Sequence, residues 1–519
     1  MILVYMLYDE TIKNYYIKSN IGAKMNDKEI LYQSLVEIKK LITNKELSPV
    51  ELTEMALERI EETNDKTNAF LNVYPEMAIN DAKKVEQKII NGESLGLMAG
   101  IPTSIKDLEP VKDMITTKGS LPSKDEISDI DQIGVERIKE HDGIILGKTN
   151  VPEAGSSGTT ENKLGDDCRN PWNLNHTAGG SSGGTGASVA SGVTPVAQGS
   201  DGGGSIRIPS SFCGIYGIKG TQGRIPRRHA GPSSWHPVNF SCMGPMSRYV
   251  IDSAIMMQVM AGPHSDAESG TIQTTPPDFI SNLEAGISGK RIAWSLDFGC
   301  RPIHPDVKSN TENAVKIFED LGAKVESFDF TFNLDDLEEP IMKVLGFASR
   351  YAGGGEDILK KDPDAFMPHV FNTYLRGKEV RADDYVRALA KLYEYRAYVE
   401  SIFEEYDFIS APTMAIPANK INERAFFENG KVIFKEWNDE IKFHSNDHDF
   451  STWNYVYHAM TSLFNWSGNP AATLPAGFSK DGLPTGLQII GKKENEVGVL
   501  QASRAYEIAN PWHDFKPSI

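Results

Sequence analysis

Cysteine is scarce. The four in 519 residues, Cys168, Cys213, Cys242 and Cys300, form no CxxC pair and are too scattered for a disulfide scaffold. They are expected as buried free thiols in a reducing, cytoplasmic setting. Long hydrophobic runs are also missing. The N-terminal MILVYMLY is too short to cross a bilayer and has neither a basic flank before it nor a small-residue cleavage site after it. No membrane partner and no secretion signal are read from it. Cationic side chains are in deficit, with 53 Lys and Arg against 71 Asp and Glu for a net charge of −18, and no segment gathers enough of them for a phosphate-binding face. Nucleic acid is therefore excluded as a direct partner. The chain also lacks GxxxxGK[ST], a GxGxxG strand-to-helix turn, the GxSxG elbow and HExxH. His444 and His448, with Asp447 and Asp449 nearby, have i, i+4 spacing, but their turn-like surroundings read as a solvated loop. No metal and no cofactor are expected.

What is present is globular: 40% of residues are hydrophobic and 24% charged, enough for a large core. Residues 1–24 read as an extension ahead of a single domain over 25–519. Apolar residues recur at helical spacing from Asn26 to about Glu62, broken near Ser48-Pro49. Short apolar runs near Gly100–Ile105 and Gly143–Gly147, with a helix-like Ile133–His141 before the second, imply an α/β sheet. Met246–Gly262 reads as one helix with Met256, Met257 and Met260 as core filling. From about 330 to 460 the chain turns helical, aromatic and charged, as expected of an insertion. Apolar runs at Phe408–Ala415, Ala471–Ala476 and Gly486–Ile490 return to the sheet. Tyr374, Trp437, Trp453 and Tyr455 suit an apolar acyl pocket and core packing equally well.

The chemistry concentrates in two Gly-Ser clusters, AGGSSGGTG (Ala178–Gly186) and GSDGGGSIRIPSS (Gly199–Ser211). Glycines beside a serine let several backbone N–H groups converge on one point, as an oxyanion hole or an anion cradle requires. Gly202, Gly203 and Gly204 with Ser205 would place such donors beside a nucleophile, whose base must come from elsewhere. No histidine lies in either cluster. Lys106, in GIPTSIKD, follows an apolar run where burial would neutralise it, so a lysine base stays open against the alternative of a surface lysine beside a Gly-rich turn.

The order GIPTSIKD, GIILGKTNVPE, RNPWNL, AGGSSGG, GSDGGGSIRIPSSFCGIYGIKG and GLPTGLQIIG resembles the amidase signature family. The likeness runs from about residue 30 to 515 and is weakest over about 265–460. It implies a large mixed twisted sheet between helices (α/β/α), with Ser205 as nucleophile, Ser181 as a bridging serine on a cis peptide and Lys106 as terminal base. Backbone N–H groups of Gly202, Gly203, Gly204 and Ser205 would then hold the oxyanion, and Asp201 and Arg207 would support the loop. Lys118 in TTKGS departs from the family's usual small or thiol residue. EAGSSGTTE and the C-terminal motif are similar to bacterial amidases such as the cyclic aminohexanoate dimer hydrolases. On that likeness Ser156 and Ser182 are expected substrate contacts, with ordinary loop hydrogen bonding the alternative for Ser156. The implied activity is hydrolysis of a small-molecule amide to acid and amine or ammonia, by a monomer or homodimer. The alternative is an amidotransferase A-type subunit releasing ammonia from glutamine.

Overall fold

Ser48 starts a helix. Its hydroxyl accepts from the N–H groups of Val50 and Glu51, and Glu51 reaches back to the Ser48 N–H, closing a capping box at the head of Pro49–Thr67. The break expected near Ser48-Pro49 is thus a helix boundary, with Leu35–Thr43 before it. The structure, a computed structural model, describes residues 27–228, 239–299, 301–436 and 456–519. The 1–24 extension lies outside them.

Eleven strands form one mixed sheet in the order Phe70–Val73, Ile144–Thr149, Pro102–Lys106, Val196–Asp201, Cys242–Ser247, Tyr216–Lys219, Ala471–Phe478, Pro484–Gly491, Phe408–Pro412, Arg291–Trp294 and Lys324–Ser327. Pro102–Lys106 runs parallel to both its neighbours, and Ile105 is in register with Gln198. The strands next to it, 144–149 and 196–201, are buried at every position, as it is. Both faces must therefore be covered, and continuous apolar runs replace the alternation of a half-exposed strand. Helices supply that cover, among them Gly183–Ala190 against the parallel strands and Pro305–Asp320 and Glu496–Ala509 against the C-terminal strand pair. This is the α/β fold that the resemblance implied.

Two expectations need correction. Met246 does not begin a helix. It and Ser247 end the strand Cys242–Ser247, and the helix is Val250–Met260. Every position of that strand is buried, so no alternation marked it off from the helix that follows, while Met256, Met257 and Met260 do fill the core. Within the expected insertion the long helix Ala382–Ile402 is followed among the described residues by strand. The chain then enters the sheet at Phe408–Pro412 and forms a separate hairpin, Glu423–Glu428 with Lys431–Glu436. Cys168, Cys213 and Cys242 are buried and free, and Cys300 lies outside the described residues. No described helix is long and apolar enough to cross a membrane.

Candidate active site

Lys106 is the last residue of its strand, and its side chain is fully buried. Nζ lies 2.9 Å from the Ser200 carbonyl and 2.8 Å from Ser181 Oγ. A carbonyl can only accept, so one amine N–H goes to Ser200. Nζ makes its other contact with the Ser181 hydroxyl, donating to Oγ and able to accept from it once the amine is neutral. Burial pushes the amine down to about 7, against the upward pull of the Glu109 and Asp201 carboxylates. The peptide bond Gly180–Ser181 is cis. The two Gly-Ser clusters meet through the main chain, where the Ser182 N–H donates to the Ser205 carbonyl at 3.1 Å.

Asp201 folds the second cluster back on itself. Its carboxylate accepts from the N–H of Gly204 at 2.7 Å and of Ile206 at 3.3 Å, a local side-chain-to-backbone closure of the kind Asp favours in turns. Arg207 then grips the same carboxylate through Nε at 3.0 Å and Nη2 at 3.1 Å. Burial alone would raise this carboxyl, but the Arg207 guanidinium holds it well below the usual carboxylate range. Asn465 donates to both the Asp201 carbonyl and carboxylate at 2.9 Å and accepts from Arg207 at 2.7 Å. Gln488 accepts from Arg207 Nη1 at 3.2 Å. Arg207→Ala would strand the Asp201 charge in the interior. Its expected cost is about 3–5 kcal/mol of unfolding free energy, measured by urea denaturation.

The Gly203 carbonyl is fixed by Thr461 Oγ1 at 2.7 Å and by His458 Nδ1 at 2.9 Å. Burial lowers the His458 pKa, and the neutral ring donates from Nδ1. These two contacts set the plane of the Gly203–Gly204 peptide. Gly204 has φ +132°, and a Cβ there would stand 2.1 Å from Thr461 Oγ1. Gly204→Ala is therefore expected to lower kcat/KM about 100-fold or more by displacing the turn, with a lower melting temperature by circular dichroism as the companion reading. The amides of Gly202, Gly203 and Ser205 donate to nothing among the described residues, whereas that of Gly204 is taken by Asp201.

The remaining expected residues are placed as follows. Ser182 is fully buried; its hydroxyl donates to the Ser200 carbonyl and accepts from the Ser200 N–H, so it is spent on the main chain. Ser156 donates to the Glu153 carbonyl at 2.7 Å and lies 3.3 Å from His369 Nε2, in a loop whose Gly155 passes beside Ser181 Oγ. Lys118 is exposed at φ +56°. Tyr374 is partly buried on the helix Pro368–Glu379. Trp437, Trp453, Tyr455, His444, Asp447, His448 and Asp449 lie outside the described residues. Among those that are described, no three His, Cys, Asp or Glu side chains cluster to hold a metal ion. His458, Thr461, Asn465 and Gln488 were not singled out from the sequence. Only Gln488 carried a signal, a lone polar side chain inside the apolar run of GLPTGLQIIG.

The site thus brings together a buried lysine amine, the Ser181 hydroxyl it touches, and the turn at Ser205 whose amides lack partners among the described residues. The amidase family matches residues 51–500, and the chain belongs to it. Its relatives include an acylamidase of Rhodococcus erythropolis, 32% identical over 495 residues that span 95% of this chain and 99% of that one. The glutamyl-tRNA(Gln) amidotransferase A subunit of Clostridium botulinum (strain Eklund 17B / Type B) is 33% identical over 507 residues, spanning 93% and 98%. Among solved structures, a bacterial aryl acylamidase of the amidase signature family superposes with a TM-score of 0.82 at 30% identity, covering 93% of this chain and 97% of that one. For 6-aminohexanoate cyclic dimer hydrolase the TM-score is 0.82 at 26% identity, covering 94% and 99%. The reaction to be accounted for is the cleavage of an amide carbon–nitrogen bond.

Proposed function

We propose that the chain hydrolyses a small carboxylic amide through an acyl-enzyme, with Ser205 as nucleophile, Ser181 as proton bridge and Lys106 as terminal base. The observation that carries this reading is the 2.8 Å contact between Lys106 Nζ and Ser181 Oγ at a fully buried lysine. Neutral Lys106 takes the Ser181 proton as Ser181 takes that of Ser205, and Ser205 Oγ bonds to the carbonyl carbon. The relay runs back to protonate the departing nitrogen as the carbon–nitrogen bond breaks. One water, deprotonated along the same path, then releases the acid and restores Ser205. The amides of Gly202, Gly203 and Ser205 face the oxyanion, while that of Gly204 is reserved for Asp201. Asp201 and Arg207 hold the turn. Ser182 positions Ser200, and Ser156 shapes the loop behind Ser181. Three buried free thiols fit a reducing, cytoplasmic setting.

The comparable identity to amidotransferase A subunits keeps a second reading in play, in which the same relay frees ammonia from glutamine for a partner. The two separate on substrate. The purified chain alone is expected to hydrolyse a small aryl or aliphatic amide with a higher kcat/KM than glutamine. A glutamine preference that emerges only on adding amidotransferase partner subunits establishes the second reading instead.

A further inference from the structure

The Lys106 amine has no carboxylate within ion-pair distance among the described residues; its hydrogen-bond partners there are a hydroxyl and a carbonyl. The charges that act on it come from three side chains, Asp201, Glu109 and Arg227, with the neighbouring Asp107 closed in a pair of its own. Asp201 is neutralised by Arg207 at 3.0 Å. Asp107 and Lys148 close on each other at 3.0 Å. Glu109 sits one turn beyond Lys106, its N–H on the Lys106 carbonyl at 3.0 Å and its side chain buried. Arg227, whose main-chain carbonyl accepts from the Glu268 N–H, approaches Glu109 with Nη2 only to 4.0 Å. Glu109 Oε2 accepts from Gln132 at 3.1 Å, but Oε1 is buried with no hydrogen-bond partner. A buried carboxylate with one oxygen unsatisfied and its guanidinium out of bonding range keeps much of its field, and that field acts across a low-dielectric interior.

We propose that Glu109 and Arg227 form an opposed pair that sets how readily Lys106 holds a proton, Glu109 favouring the charged amine and Arg227 the neutral one. Neither side chain belongs to the proton relay, so both are positioning residues acting through Lys106. The inference rests on Lys106 being the base. It adds that the pH range of the enzyme is written in two side chains outside the relay, and that the range can be moved in either direction.

The test is the pH profile of kcat/KM on one neutral amide for the wild type, Glu109→Gln and Arg227→Gln. Glu109→Gln should move the rising limb down by about half a pH unit, roughly a threefold gain on its acid side, and Arg227→Gln should move it up by a similar amount. Shifts of one sign in both variants, or lower plateaus with unmoved limbs, overturn the proposal, because loosened packing lowers the rate without reversing a shift. Glu109→Asp keeps the charge and should leave the limb near its wild-type position. If Glu109→Gln fails to fold, the direction found for Arg227→Gln, a partly exposed residue, decides. A wild-type limb that survives in Lys106→Ala refutes the base assignment itself, an outcome distinct from any shift in these variants.

Discussion

Ser205→Ala is expected to lower kcat on any amide substrate by about 10⁴-fold or more, because removing a nucleophile abolishes the covalent route and leaves only binding and oxyanion stabilisation. The fold should survive. The Ser205 carbonyl, not its hydroxyl, makes the bond to Ser182 that joins the two Gly-Ser clusters, and alanine retains it. A serine-directed fluorophosphonate should label the wild type at Ser205 and leave the alanine variant unlabelled, as read by peptide mass spectrometry. Labelling of a different serine together with near-normal turnover in Ser205→Ala would remove Ser205 from the mechanism.

Lys106→Ala carries the next largest loss, about 10³-fold, since the relay then lacks its terminal acceptor. The pH dependence gives the sharper test. Lys106 serves as a base only when uncharged, and burial brings its amine down to about 7. In the wild type kcat/KM should therefore rise about tenfold per pH unit below that point and level off above it, and the alanine variant should lose the limb. Stability follows with a definite sign. In the unfolded chain the amine returns to its ordinary value of 10.5. Between about 7 and 10.5 the unfolded state thus binds a proton that the folded state does not, so stability from this group rises with pH across that window and is lost as pH falls toward 7.

Lys106 and Ser205 could be picked out as candidates because their signals are local, whereas Ser181 entered only through the family resemblance. A lysine ending an apolar run and serines embedded in glycine are unusual in any window of ten residues. Asn465, Thr461 and His458 were not legible, because each acts through hydrogen bonds to a turn more than 250 positions away and leaves no period in its own neighbourhood. The sheet was read from its apolar runs, but Cys242–Ser247 was partly lost to a helix because full burial erases alternation. The hairpin over 423–436 was hidden inside a charged, aromatic stretch in which Phe408–Ala415 alone was expected as strand.

The strand pair Ala471–Phe478 and Pro484–Gly491 lies inside the sheet, between Tyr216–Lys219 and Phe408–Pro412, and it carries Gln488 to Arg207. As the ribosome extends the chain, the turn bearing Ser205 is complete long before Asn465 and Gln488 exist to brace it. A polypeptide cut before residue 458 would keep the Ser205 turn and lose His458, Thr461, Asn465 and Gln488, the side chains that brace it. Such a fragment is therefore expected to be inert toward amides rather than to act as an unregulated amide-cleaving piece, as read from hydrolysis by the truncated chain.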